Sequence, residues 1–306
     1  MIKARPFIKW AGGKTQLLPT IDSFLPKNFR KERNVTYIEP FVGGGAMLFF
    51  MLQKYPNIRR AVINDINPRL IKTYTVIRDQ PQDLILSLQE IQSTYRALES
   101  DDKKKEFYLD IRRRFNSKTL TDVEEASFMI FINRTCFNGL YRENSKGEFN
   151  VPFGRYINPT ICDDALIMSD SELLQKVEIT HGDFAETATF VNGYTFFYFD
   201  PPYRPLDATS SFNSYVKESF DDREQKRLKD FYALLSKNGC HEILSNSDGR
   251  GRNEENVFFD ELYKDYIIER VHARRFINAN PSKRGVLTEL LIRNYMNYQG
   301  GCDSLL

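Results

Sequence analysis

Four consecutive residues in the second half of the chain, Asp200-Pro201-Pro202-Tyr203, combine groups that suit one kind of chemistry. They follow the apolar run 194–199, which places a carboxylate, a backbone carbonyl and an aromatic ring at the end of a predicted strand. Two successive prolines fix the backbone and lack N–H donors, so the chain leaves the sheet rigidly and its carbonyls stay available. Such a set can accept both N–H groups of an exocyclic amine on a planar ring, such as adenine, and hold it in line with an electrophilic methyl group.

A glycine turn followed by a carboxylate predicts a ligand site nearer the start of the chain. The apolar run 35–39 ends at FVGGG (residues 41–45), where glycines let the backbone approach a ligand closely. Asp65 lies twenty residues after Gly45, where Rossmann-like domains carry a carboxylate for ribose hydroxyls. Because Leu48 replaces the third glycine of the dinucleotide motif, a nucleoside without a pyrophosphate fits better than NAD. The alternative is a glycine-rich surface turn with a solvated aspartate.

The segment AGGKT at residues 11–15 looks like a phosphate loop but lacks its first glycine, since the chain has Ile8 at that position. In the functional interpretation, backbone amides and the Lys14 ammonium face an anionic group such as a carboxylate. In the alternative, Lys14 merely starts a helix after an N-terminal loop.

Composition excludes several classes of protein. Forty-three basic and 41 acidic residues give a net charge of +2, which argues weakly against nucleic-acid binding by bulk electrostatics but allows basic groups gathered on one face. The four cysteines form no CxxC pair and the three histidines are isolated in sequence, so a zinc site or other metal centre is not expected. No apolar run long enough to span a membrane and no secretory signal pattern is visible, and we therefore expect a cytoplasmic protein.

The elements that must position these residues read as an α/β domain. Strands are predicted at 35–39, 60–65, 176–180, 194–199, 240–245, 266–272 and 286–293. Helices are predicted at 46–55, from Pro68 onward, and at 82–98, 103–115, 122–134, 163–175 and 221–236. Residues 137–159, rich in Asn, Gly and Pro, form either a long irregular loop or a hairpin excursion. We interpret the chain as one doubly wound α/β domain built from both ends, with a helical insertion between about 76 and 160.

Five motifs in order give the chain a family resemblance. FIKWAGGK, EPFVGGG, IND and FDPPY resemble the α-group of S-adenosylmethionine-dependent DNA adenine-N6 methyltransferases, and NGLYRENSKGEFNVPFGRY resembles the DNA adenine methylase (Dam) family, which methylates GATC. The resemblance runs from residue 6 to the strand near 293. It implies a Rossmann-like class I methyltransferase fold with a mostly parallel sheet and a C-terminal antiparallel hairpin. It also implies a catalytic domain at 1–75 and 161–306 and a target-recognition domain at 76–160.

The resemblance implies S-adenosylmethionine as the cofactor, and no metal. Lys14 would meet its carboxylate, Asp65 its ribose hydroxyls, and Asp183 and Phe184 its adenine. Asp200, Pro201, Pro202 and Tyr203 would serve the target base. The implied cofactor-binding residues are Trp10, Lys14, Phe41, Gly43, Gly45, Asp65, Asp183, Phe184 and Asp200. A core aromatic is the alternative for Phe184.

Duplex DNA is the implied partner, with the target adenine flipped out of the helix. Arg142 would donate to guanine N7 and O6. Phe137, where relatives usually carry Tyr, would wedge into the space that the adenine leaves, keeping the stacking ring without the hydroxyl. The implied DNA-binding residues are Lys9, Arg112, Arg113, Phe137, Asn138, Leu140, Arg142, Pro152, Tyr156, Lys283 and Arg284.

The implied DNA-binding residues fall into two groups, those that would contact bases and those that would contact phosphates. Leu140 and Pro152 would contact thymine methyl groups, Asn138 the orphaned thymine, and Lys9 the outer guanine, with Tyr156 on bases or phosphate. Phosphate contacts would come from two basic clusters, since seven basic residues stand against two acidic ones at 103–118, and others flank the loop before the last strand. Solvated helix and loop faces are the alternative for these clusters.

The resemblance further implies a nucleoid-associated bacterial or phage protein, a monomer, whose partners include a cognate restriction endonuclease if one is encoded nearby. Rival interpretations change the target to cytosine N4 or RNA adenine, or remove catalysis and leave a DNA-binding protein. The aspartate at position 200, where cytosine enzymes more often carry Ser, disfavours the cytosine target. The intact set of Trp10, Lys14, Asp65 and Asp200 disfavours the silent protein. An NAD-type oxidoreductase is the rival at the level of the fold.

Overall fold

The computed structural model describes residues 3–117, 119–204, 220–248, 250, 256–274 and 286–296, and in these ranges seven strands form one mixed sheet. The strands are β1 (Val35–Glu39), β2 (Ile58–Asp65), β3 (Val177–His181), β4 (Tyr194–Phe199), β5 (His241–Ser247), β6 (Ile267–Arg274) and β7 (Val286–Arg293). Their order is β3-β2-β1-β4-β5-β7-β6, with β1 to β5 parallel and β7 antiparallel to both of its neighbours. This is the predicted doubly wound sheet with an antiparallel hairpin.

Nine α-helices in the described ranges connect and cover the strands. They are α1 (Leu18–Ser23), α2 (Ala46–Lys54), α3 (Pro68–Asp79), α4 (Pro81–Ala97), α5 (Asp101–Phe115), α6 (Asp122–Thr135), α7 (Asp164–Leu174), α8 (Asp222–Lys237) and α9 (Phe258–Leu262). Local sequence explains several of their ends. The Asn67 side chain caps α3 ahead of Pro68, and Thr121 and Glu124 form a reciprocal capping box at the start of α6.

Alternate side chains of the buried strands build two apolar clusters, one on each face of the sheet. Along β4, Phe196 and Tyr198 belong to one cluster, while Phe197 and Phe199 belong to the other. The first cluster continues from the sheet through α2 and α3 into α4, α5 and α6. The second lies under α8 and α9.

The strand order reverses between β1 and β4, which are paired in parallel. The chain continues from β1 to β2 on one side and from β4 to β5 on the other, so a crevice opens at the carboxyl ends of β1 and β4. Glu39 ends β1, and Asp200 directly follows β4. The sheet therefore brings both of the sequence's principal motifs to one edge.

The segment after α6 is a hairpin excursion, one of the two forms that the sequence allowed. Isolated antiparallel bridges join Cys136 to Phe153 and Glu143 to Phe149. Helix α5 holds the returning arm, because the Tyr108 hydroxyl donates to the Val151 carbonyl at 2.7 Å. The division into a catalytic domain and a target-recognition domain stays a prediction.

One buried amide ties this hairpin to the N-terminal segment. The Asn133 side chain, 1% exposed, accepts from the Lys9 amide at 2.8 Å and donates to the Lys9 carbonyl at 2.9 Å and the Gly139 carbonyl at 3.1 Å. One side chain thus satisfies the buried Gly139 carbonyl and two part-buried backbone groups of Lys9.

We expect Asn133→Ala to lower the free energy of unfolding by about 2–4 kcal/mol, because the buried Gly139 carbonyl left without a partner costs about 1–3 kcal/mol and the two part-buried Lys9 groups, which water can reach, add less. Urea unfolding measures the loss. Asn28→Ala, at an exposed position, is the control and should cost under about 0.5 kcal/mol. Equal stabilities of the two variants would contradict the assigned role.

Candidate functional site

Three carboxyl groups and one ammonium meet at the carboxyl edge of the sheet. Lys14 Nζ lies 3.2 Å from Asp200 Oδ1 and 3.0 Å from Glu289 Oε2, and the Lys14 side chain is only 3% exposed. Glu39, which is 2% exposed, completes the group from β1 and accepts a hydrogen bond from the Tyr37 hydroxyl. The crevice therefore holds more acidic than basic groups within reach of one another.

Burial and mutual repulsion shape the protonation of these carboxyl groups. Burial raises the pKa of Asp200, Lys14 lowers it and Glu289 raises it, and together these effects bring it to about 6. Burial also raises the pKa of Glu39 to about 8, against the hydrogen bond from Tyr37. At pH 7 Asp200 is therefore mostly a carboxylate, while Glu39 is mostly neutral.

The last two residues of the Asp-Pro-Pro-Tyr segment are held by hydrogen bonds from α8 and with Lys14 and Glu289. Gln225, fully buried on α8, donates to the Pro202 carbonyl at 3.2 Å and is itself bonded to Asn246 at 3.3 Å. The Tyr203 hydroxyl donates to Glu289 Oε2 at 3.1 Å and accepts from the Lys14 ammonium. Pro201 is buried and Pro202 exposed. The segment is fixed before any ligand binds.

The glycine turn is shaped by close side chains. A Cβ atom on Gly43 would lie 2.8 Å from Cδ1 of Trp10, and a Cβ atom on Gly45 would lie 2.4 Å from the Tyr74 hydroxyl oxygen. Gly43 and Gly45 both have positive φ, +49° and +74°. Asp65 accepts from the Gly43 amide at 3.0 Å, so the predicted ribose carboxylate and the glycine turn form one unit.

Burial raises the pKa of Asp65, and backbone hydrogen bonds from Asn67 and Gly43 oppose that rise. These donors hold the carboxylate at the end of β2. Asp65 lies at the end of β2, as the sequence predicts, and its role toward ribose hydroxyls stays a prediction.

On the other side of the crevice, aromatic rings surround Phe184. The Phe184 ring centroid lies 5.3 Å from that of Phe41, and the guanidinium carbon of Arg227 lies 4.1 Å from the Phe184 centroid. Asp183 pairs with the same guanidinium through two hydrogen bonds of 2.9 and 2.6 Å, which holds its pKa below the usual range. Phe184 is 4% exposed and belongs to the second core cluster, as its core interpretation expects, and its contact with the cofactor's adenine stays a prediction.

The predicted DNA-binding residues gather on the hairpin. Phe137 is 50% exposed, Asn138 and Pro152 are also exposed, and the Phe137 amide donates to the Pro152 carbonyl at 2.8 Å. Half-buried Arg142 donates through Nε to Asn150 Oδ1 at 2.7 Å. Leu140 is half-buried against the first core cluster.

Other predicted contacts are placed less uniformly. The Lys9 ammonium lies 5.1 Å from the centre of the Tyr156 ring, beside the hairpin. Arg112 donates to the Val151 carbonyl at 3.0 Å, and exposed Arg113 pairs with Asp110 at 2.6 Å. Arg112 therefore supports the hairpin as well. Lys283 and Arg284 lie outside the described residues.

Comparison with known proteins decides the family. The family described as D12 class N6 adenine-specific DNA methyltransferase matches residues 10–277. The Type II methyltransferase M.MjaIII of Methanocaldococcus jannaschii is 45% identical over 96% of this chain and 100% of its own length. The DNA adenine methylase of Haemophilus influenzae is 33% identical, over 95% of this chain and 93% of its own.

This chain belongs to the D12 class N6 adenine-specific DNA methyltransferases. The resemblance seen in its motifs is thereby confirmed. Among the described residues of this D12 methyltransferase, no group of three or more His, Cys, Asp and Glu side chains is arranged to hold a metal ion. The same residues include no helix long and apolar enough to cross a lipid bilayer.

Sequence reasoning missed three residues of the D12 methyltransferase site. Glu39 stood inside a quoted motif with no role, although a glutamate ending an apolar strand is a signal in itself. Glu289 interrupts the apolar strand β7 in the same way. Arg227 lies on an amphipathic helix with many charges, and nothing in its sequence context distinguishes it.

We expect Gly45→Ala to destabilise the D12 methyltransferase by about 2–3 kcal/mol. A left-handed backbone costs a non-glycine residue about 1–2 kcal/mol, and displacing the Tyr74 hydroxyl also breaks its 3.0 Å hydrogen bond to the Gly43 carbonyl. Thermal unfolding of the purified variant measures the loss.

Gly239→Ala is the matched control, because Gly239 has a similar φ of +79° but open space around its Cβ position. It should show the backbone cost alone. If the two variants were equally stable, close packing at the glycine turn would not matter.

Proposed function

We propose that this protein transfers a methyl group from S-adenosylmethionine to N6 of a flipped-out adenine in duplex DNA, with GATC as its site. The observation that carries the proposal is the Asp200 carboxylate, placed at the switch point with its segment fixed by Gln225 and Glu289 contacts. Family membership supports the reaction class. Relatives named DNA adenine methylase and the hairpin motif support the recognition site.

The residues present fit the methyl donor. The chain offers an acceptor for hydroxyls in Asp65, a ring contact in Phe41 and Phe184, and an acceptor for an exocyclic amine in Asp183. When bound, S-adenosylmethionine supplies an electrophilic methyl group. The donor's adenine would rest against Phe184, with Asp183 accepting from its amino group through a lone pair that the Arg227 pairing leaves available.

Asp200 and the Pro201 carbonyl act on the target amine. The nitrogen lone pair of adenine N6 is conjugated with the ring, which makes the amine a poor nucleophile. Hydrogen bonds from both N–H groups to these acceptors localise the lone pair, and they strengthen as positive charge grows on nitrogen. The Asp200 carboxylate then lies beside the methylated nitrogen and can accept the proton that N6 releases.

Recognition of the DNA rests on the hairpin. The Asn150 side chain engages Nε of Arg142, so bidentate donation to guanine N7 and O6 would come from the two terminal nitrogens. Phe137, which is 50% exposed at the base of the hairpin beside Pro152, would enter the gap left by the flipped base. Tyr203 would stack on the extruded adenine, a contact worth about 1–3 kcal/mol.

We expect Asp200→Ala to abolish methyl transfer while leaving DNA affinity within about twofold, because it removes an acceptor needed mainly in the transition state. In the wild type the rate should fall as pH drops through about 6, where the Asp200 carboxylate takes up a proton. Tritium transfer to duplex DNA between pH 5 and 8 measures both. Asp222→Asn, which breaks an exposed pair with Arg204, is the control and should retain activity.

For the recognition site, we expect labelling of GATC duplex and none of GTTC duplex. Arg142→Ala should cost about 1–3 kcal/mol at one guanine position and relax the preference there. Arg113→Ala, at a predicted phosphate contact, should weaken all duplexes equally. Equal labelling of the two duplexes by the wild type would refute GATC, and an unchanged preference in Arg142→Ala would refute the assigned contact.

A further inference from the structure

Glu289 lies in the catalytic crevice without a role in the reaction described above. It projects from β7, a strand antiparallel to the rest of the crevice, and its side chain is 19% exposed. Its Oε2 atom meets both the Lys14 ammonium at 3.0 Å and the Tyr203 hydroxyl at 3.1 Å. One carboxylate oxygen thus joins the N-terminal loop to the end of the Asp-Pro-Pro-Tyr segment.

The ammonium of Lys14 is shared between acceptors. Its three N–H donors match three oxygens, which belong to Asp200, Glu289 and Tyr203. The Lys14 side chain is only 3% exposed and has little access to water, so removing one acceptor leaves its ammonium more firmly with the others. Without the Glu289 charge, Lys14 would pair with Asp200 alone.

Such a pairing would oppose the reaction. Asp200 must offer negative charge and lone pairs to the amino group of the target base, and a fully committed ammonium would neutralise that charge. With Glu289 present, one cation faces two carboxylates and the crevice keeps a net negative charge. That sign favours the positive charge that grows on the amine nitrogen.

We propose that Glu289 is a positioning residue for methyl transfer: it draws the Lys14 ammonium away from Asp200 and fixes the Tyr203 ring for the target base. The proposal rests on the proposed function. In chemical terms, the positive charge of Lys14 is shared between the carboxylates of Asp200 and Glu289. Asp200, which contacts the target adenine, is the carboxylate whose negative charge Lys14 only partly neutralises.

The charge division has a signature in the titration of Asp200. The charged and titratable groups that face it are Lys14 from the N-terminal loop, Glu289 from β7, Glu39 from β1 and Tyr198 from β4. Glu289 raises the pKa of Asp200 and Lys14 lowers it. Removing the Glu289 charge should lower the pKa of Asp200 for two reasons. The repulsion between the two carboxylates disappears, and Lys14 is no longer shared with Glu289.

The test compares Glu289→Gln, which removes the charge but keeps the shape, with Glu289→Asp, which keeps the charge. We expect the single-turnover rate constant on GATC duplex to fall about 10- to 100-fold in Glu289→Gln, which is about 1.4–2.8 kcal/mol of transition-state stabilisation. The acid limb of its pH profile should move to lower pH. Glu289→Asp should recover part of the rate and keep the wild-type limb.

A second readout needs neither methyl donor nor DNA. In protein labelled with ¹³C at aspartate carboxyls, the Asp200 signal is the one missing from Asp200→Asn, and it should titrate at lower pH in Glu289→Gln than in the wild type. Glu269→Gln is the matched control, because Glu269 pairs with Arg293 on the neighbouring strand and lies 41% exposed. It should leave the rate and the Asp200 titration unchanged.

Three outcomes would overturn the proposal: an unchanged rate in Glu289→Gln, a lower rate with an unmoved acid limb, or an unmoved Asp200 titration. The second would make Glu289 a structural residue only. Absence of adenine labelling by the wild type would instead refute the proposed function. The ¹³C titration would still report whether Glu289 divides the Lys14 charge.

Discussion

The parallel pairing of β1 with β4 is the constraint on which the site depends. These strands run side by side from Val35 and Tyr194 onward, and the chain leaves them toward opposite sides of the sheet. Their carboxyl ends therefore face the same open crevice, with Glu39 on one and Asp200 on the other. Glu289, which comes much later in the chain on β7, meets the same edge.

Within the crevice, burial and charge work against each other. A desolvated carboxylate is costly, and here the cost is offset by one ammonium and by hydroxyl and amide donors rather than by an equal number of cations. The net charge of +2 for the whole chain hides this arrangement. Acidic groups concentrate at the switch point, while Arg112 and Arg113 stand on α5 beside the hairpin. A near-neutral total is thus compatible with a strongly divided surface.

Much of the fold could be predicted because buried parallel strands appear as continuous apolar runs. The predicted bounds 35–39, 194–199 and 286–293 match the strands, and the long helices differ by a few residues at their ends. Helix α9 was not predicted, and α1 begins at Leu18 rather than at Lys14 as the alternative interpretation had it, since five and six residues are too few to show a helical period.

Some residues of the candidate site could also be predicted from the sequence, and others could not. Asp200 and Asp65 follow strands that the sequence marks clearly, and each carries its chemistry in a short motif. Glu289 is different, because it lies 275 residues from Lys14 and meets it only after β7 has paired with β5. Arg227 likewise reaches Asp183 across 44 residues. Contacts of this kind depend on tertiary packing, which no local pattern records.

The first core cluster runs without a break from the sheet into the helices that support the hairpin, and the Asn133 amide adds a polar tie to Lys9. The hairpin and its supporting helices are thus part of the same packed core as the sheet. A chimera that imported residues 76–160 from a relative would carry only part of the first core cluster. It would bring the Asn133 side chain without the Lys9 backbone that it binds. An exchange of the whole segment would therefore have to include the N-terminal residues that Asn133 binds.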